Sequence, residues 1–85
     1  MPNREAILDL TGEMERLINE SQAPEAIMRA LYDLAWSLHQ SEQVDRFAIG
    51  DGIYSLRDMK RIQDQEQHDA FIARHGKRAM MTGRG

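Results

Sequence analysis

The chain contains no cysteine. Disulfide frameworks, thiolate nucleophiles and cysteine-based zinc sites are thereby excluded in one step. Aromatic residues are scarce, with one tryptophan, two tyrosines and two phenylalanines among 85 residues. No apolar run approaches the roughly 20 residues needed to span a bilayer, and no signal-like apolar stretch follows Met1. A cytoplasmic location is the resulting expectation. The formal net charge of -3 argues against a generally basic, histone-like binder. Also missing are the G-x-S-x-G elbow, the Walker loop, G-x-G-x-x-G and H-E-x-x-H. Gly50-Asp51-Gly52 is too short to cradle a phosphate and lacks a following Lys-Ser/Thr. The expectation is a non-enzyme with no catalytic residue, no metal and no cofactor.

What is present is a globular mixture, 41% hydrophobic and 29% charged, sufficient for one small domain with a thin core. Charge is unevenly placed. Residues 1–33 hold seven acids and three bases, residues 34–66 six and four, and residues 67–85 one acid and four bases. The domain is expected over residues 1–76, followed by a flexible basic C-terminal tail at 77–85.

Two amphipathic helices open the chain. The first is predicted from Asn3, a good N-cap residue, to Asn19. At about 100° per residue it gathers Ala6, Ile7, Leu10, Met14, Leu17 and Ile18 on one side, with Gly12 on the solvated side. The second starts at Ala23-Pro24, where a proline at the first helical position forfeits no hydrogen bond, and runs to about His39 or Gln40. Ile27, Leu31, Leu34 and Leu38 form its stripe, widened by Met28, Ala30 and Ala35, an arc broad enough to touch two neighbours. A short loop makes the two helices an antiparallel hairpin. Met14, Met28 and, further on, Met59 fall on apolar stripes and are expected to fill the core.

Residues 41–54 admit two readings. One is a short helix from Ser41 to about Ile49 with a break at Gly50-Asp51-Gly52, and this is preferred. The other is a two-stranded hairpin within 47–56, closed by the same glycine-rich turn. The third helix is predicted over 55–75. Ser55-Leu-Arg-Asp58 resembles a capping box at its start, and Gly76 after Arg74 and His75 marks its stop. Leu56, Met59, Ile62, Ala70 and Ala73 share a face that Glu66 interrupts, and Phe71 and Ile72 point elsewhere. Either the helix breaks near Gln65–Gln67, or those two residues meet something outside the bundle. The fold expected from these elements is an all-α three-helix bundle.

Candidate sites are few. Asp64, His68 and His75 share one face of the third segment, and His39 and Glu42 lie three apart on the second. Neither set has the paired Glu and Glu-x-x-His pattern of a di-metal bundle, so both are read as solvated polar residues. Arg57, Arg61 and Arg74, continued by Lys77, Arg78 and Arg84 in the tail, form a basic stripe of the kind that meets phosphates. Asp64 and Asp69 intrude on it. The strongest anomaly is Trp36, about 160° from the leucine stripe of its helix, on the side of Arg29, Asp33 and Gln40, with Tyr32 one turn earlier. Either a later segment folds over the indole, or it anchors another chain, as tryptophan and tyrosine do at interface hot spots.

The favoured expectation is therefore a small regulator, inhibitor or accessory protein that docks a helical surface on another protein. Met28, Tyr32, Trp36, Phe71 and Ile72 would supply apolar anchoring, and Arg29 and Asp33 would set register through rim charges. A homodimer is expected, because Trp36, Phe71 and Ile72 lack obvious places inside one thin core. The alternative is a nucleic-acid-associated accessory protein using Arg57, Arg61, Arg74, Lys77, Arg78 and Arg84. Salt-sensitive binding would mark the alternative.

Overall fold

The computed structural model of the protein describes residues 6–65 and 67–75. It replaces the expected all-α bundle with a mixed α/β domain. Seven elements follow in the order β1 (Ile7–Asp9), α1 (Thr11–Asn19), α2 (Pro24–Glu42), β2 (Arg46–Ile49), β3 (Gly52–Ser55), α3 (Leu56–Gln65) and α4 (His68–His75). The strands form one sheet in the order β1-β2-β3. β1 runs parallel to β2, pairing Leu8 with Phe47, and β2 runs antiparallel to β3, pairing Phe47 with Tyr54.

The first correction falls on the opening helix. Ile7–Asp9 is a strand, and the helix begins only at Thr11. Asp9 Oδ1 accepts the Thr11 N–H at 2.8 Å, a local side-chain bond of the type that competes with helix upstream of itself and opens one downstream. The Leu10 N–H then donates to the Ala48 carbonyl at 2.8 Å, carrying the parallel pairing one residue further. Leu10, Met14 and Leu17 are buried as the wheel expected, but Ile7 stands 43% exposed. Its outward aim follows the two-residue alternation of a strand. The turn after α1 closes as a Schellman motif, with the Ser21 N–H on the Ile18 carbonyl (2.9 Å) and the Gln22 N–H on the Leu17 carbonyl (3.2 Å). Ser21 holds the left-handed position, at φ 60°.

α2 carries Pro24 at its start and buries Ile27, Met28, Leu31 and Ala35 against α1, α3 and α4. It reaches Glu42 and ends on Gln43 in a left-handed conformation. The preferred helix over 41–49 is therefore corrected to the hairpin β2–β3. Phe47 and Ile49 are fully buried while Arg46 between the loop and Phe47 is exposed, a period of two that a helix cannot produce. Ile49 pairs with Gly52 to close the turn. Gly50 takes the positive φ, 59°, that such turns require at their first position. A lone hairpin is marginal; here the parallel strand β1 and the helices beneath it supply the missing support.

α3 starts on the capping box that the sequence announces. The Ser55 N–H donates to Asp58 Oδ2 at 3.0 Å, and the Asp58 N–H donates to Ser55 Oγ at 3.1 Å. Those bonds hold the Asp58 carboxyl below its ordinary range. The single third helix of the expectation is corrected to two, α3 ending at Gln65 and α4 beginning at His68. The His68 ring Nε2 donates to the Gln63 carbonyl at 3.1 Å, ending α3 with a side-chain cap. The break re-aims α4, so that Phe71 is fully buried. None of the described helices is long and apolar enough to cross a membrane.

Candidate functional site

The apolar arc of α2 leaves one stripe without neighbours. Ala26, Arg29, Asp33, Trp36 and Gln40 are all exposed, and their spacing of three and four residues puts them on one line along the helix. Trp36 is 48% exposed, one of three large apolar side chains open to this degree among the described residues. Its ring lies beside His39, 6.1 Å between centroids and tilted by 36°. Arg29 and Asp33, one turn apart, form no ion pair or side-chain hydrogen bond with any described residue.

Glu15 on α1 and Asp69 on α4 are likewise without an ion pair among the described residues, but most charges of α1 and α3 are matched. On α1, Arg16 is held by Glu13 and Glu20. On α3, Lys60 meets Asp64 at 2.7 Å and Arg61 meets Asp58 at 3.8 Å. The outer charges of α1 and α3 are largely neutralised within their own helices, whereas those of α2 are not.

A shallow concavity of about 330 Å³, lined by His39, Gln40, Gln43 and Asp45, continues the stripe at the C-terminal end of α2. His39 Nδ1 lies 3.1 Å from both the Val44 carbonyl and Asp45 Oδ1. Both are acceptors, so this nitrogen carries the proton. The imidazole is thereby held in place beside the indole.

The structure divides the sequence-predicted anchors. Trp36, Arg29 and Asp33 come together on the open stripe. Met28 and Phe71 are fully buried, so neither side chain is available to a partner, and Ile72 is half-buried against the same core. Tyr32 is also half-buried, with the Lys60 ammonium 5.9 Å from its ring centroid, which places it at the α2–α3 seam. Of the basic stripe, Arg57 and Arg61 are exposed on α3, and Arg74 lies on α4, its guanidinium 5.7 Å from the centre of the Phe71 ring. Lys77, Arg78, Arg84 and the proposed tail lie outside the described residues.

A polar cluster at the hairpin end is not among the sites expected from the sequence. The Gly50 N–H donates to Thr11 Oγ1 at 2.8 Å, joining the hairpin turn to the start of α1. Tyr54 Oη and His75 Nε2 lie 2.6 Å apart, joining β3 to the end of α4. The Tyr54, Phe71 and His75 rings pack together, with centroids 4.7–5.6 Å apart. A side chain at Gly50 would meet His75, since a Cβ there would lie 2.9 Å from Nδ1. Burial lowers the His75 pKa from 6.5, Arg74 lowers it further, and Asp51 opposes them. His75 is only 9% exposed. These groups contact one another and seal an end of the core. The only sequence signal for this cluster was the glycine turn, which cannot report a contact to a residue 25 positions later.

No protein-family model matches this sequence, and comparison with curated proteins and with solved structures finds no match.

Proposed function

We propose that the protein is a non-enzymatic docking module, a small regulator, inhibitor or accessory protein that binds a protein surface through the outer stripe of α2. One observation carries this reading: a half-exposed Trp36 stands on the same line as an arginine and an aspartate that have no partner among the described residues. Tryptophan and arginine are the residue types that most often dominate interface energies. Indole burial supplies the apolar contribution, and the flanking charges of opposite sign fix register and exclude wrong partners. The nucleic-acid alternative has less support on α3, because Arg61, one of its two arginines there, already faces Asp58 at 3.8 Å.

The test is to replace Trp36 by a photo-crosslinking benzoyl-phenylalanine and irradiate the cells that make the protein. A discrete adduct is expected, diminished when Arg29→Ala and Asp33→Ala are added. A chain that crosslinks to nothing from this position, while crosslinking from Arg57, would overturn the reading.

A further inference from the structure

We infer that the occupant of the α2 stripe is a second copy of this chain, packed antiparallel along α2 with the two-fold axis level with residue 31. This inference rests on the docking reading above and specifies its partner. The stripe Ala26, Arg29, Asp33, Trp36, Gln40 repeats at intervals of three and four, the spacing with which one helix lies along another. In an antiparallel pair each residue faces one whose number mirrors it across the axis. With the axis at residue 31, Arg29 meets the partner's Asp33, and Asp33 meets the partner's Arg29. The same register sets Trp36 over the partner's Ala26, the smallest residue on the line and the only one that leaves room for an indole.

The charges decide among the alternatives. A parallel pair would bring like charges together at both positions. An antiparallel pair centred at residue 33 would oppose two aspartates, and one centred between residues 34 and 35 would leave both charges against uncharged groups. Residue 31 is the one centre that pairs both charges and places both indoles. Two-fold interfaces are self-complementary in this way by necessity. The length of α2, 19 residues, gives a line of about 28 Å at 1.5 Å per residue, long enough to contain the eight mutually facing positions (26, 29, 33 and 36 on each chain), while Gln40 extends past the start of the partner helix. One narrow helical line gives a contact at the small end of specific interfaces, so association is to be followed over a wide range of concentration.

The experiment uses the full chain and its charge variants, with molar mass followed by light scattering across concentration. The unaltered protein is expected to move from 9.8 kDa toward twice that mass as concentration rises. Arg29→Asp alone opposes two acids, and Asp33→Arg alone opposes two arginines. Each is expected to weaken association by roughly tenfold or more. An equimolar mixture of the two variants restores both ion pairs across the interface, although within each chain positions 29 and 33 carry like charge. Recovery of dimer in the mixture is therefore the supporting result, and it also shows that both variants fold.

Three outcomes would overturn the inference: a chain that stays at 9.8 kDa to several hundred micromolar, single variants that dimerise normally, or a mixture that stays monomeric. The crosslink from position 36 separates this failure from that of the docking reading. An adduct of twice the chain mass supports both. An adduct with a different protein, from a chain that stays monomeric, removes the second copy and leaves the docking surface standing.

Discussion

The hairpin end of the sheet and the outer stripe of α2 gather the same kinds of side chain, aromatic rings beside polar and charged groups. At the hairpin end each group finds its complement inside the protein: Gly50 with Thr11, Tyr54 with His75, His75 with Phe71. On α2, Trp36 lies beside His39, while Arg29 and Asp33 face no described partner. The same chemistry is closed in one place and open in the other. Hydrogen bonds and ring contacts made inside the chain specify the fold. Groups left unmatched at the surface are the ones free to specify an encounter, since only they gain by meeting a second molecule.

The largest effect that can break this comparison comes from exchanging one aromatic from each class. Phe71→Ala is expected to cost about 3–5 kcal/mol, the usual range for a fully buried ring, a large share of what a domain of this size has in total. Trp36→Ala is expected to cost less than about 1 kcal/mol of stability, yet to abolish association. Urea unfolding of both variants, with molar mass read alongside, checks the pair. If Trp36→Ala unfolded the protein as severely as Phe71→Ala, the stripe would belong to the fold and the distinction would collapse.

Gly50→Ala comes next. The residue sits at φ 59°, a conformation that side chains disfavour, and the added methyl would press on His75 Nδ1 at 2.9 Å. A loss of about 1–3 kcal/mol is expected, because turn and imidazole must both shift. Thermal unfolding measures it. Dimer mass at low temperature should be unchanged, since no part of the α2 stripe touches the turn. A variant that lost association while remaining folded would show that the two regions are coupled.

The contrast between what was legible in the sequence and what was not follows the range of the interactions. Helical periodicity found α2 and its outward Trp36, because a 19-residue helix records its buried face in its own spacing. The Ser55–Asp58 box was legible for the same reason: both partners lie within one turn. β1 was not legible, because three residues carry too little pattern and their partner strand lies 39 positions away, Ile7 against Arg46. The hairpin lost to a helix in the local reading because its support comes from β1 and the packed helices, none of it adjacent in sequence. The end of the first helix was legible at Asn19, whereas the end of α2 was placed two or three residues early, because its left-handed cap is Gln43 rather than glycine. Within the site, the exposure of Arg29, Asp33 and Trp36 could be read from the wheel. The burial of Met28 could be read from the stripe of its own helix, although the same residue was also placed among the anchors; the burial of Phe71 could not, since it depends on how α4, starting anew at His68, turns back across α2.

The smallest expected effect is a slope in pH. The imidazole of His75 is pushed below 6.5 by burial first and by the Arg74 charge second, with Asp51 opposing. The unfolded chain therefore binds a proton at this residue more readily than the folded one. Stability is complete above about pH 6.5 and is lost as pH falls from there through the depressed folded value, because protonation favours the unfolded chain. His75→Gln keeps a polar partner near Tyr54 but cannot titrate, so its stability should be flatter with pH over that window. Urea midpoints at a series of pH values, for both proteins, check the sign. Charge on the α2 stripe is unaffected by His75, so the dimer mass of folded protein should follow the same pH course in both. A His75→Gln chain whose stability fell as steeply as the parent's on acidification would place the sensitivity elsewhere and leave the hairpin end as packing alone.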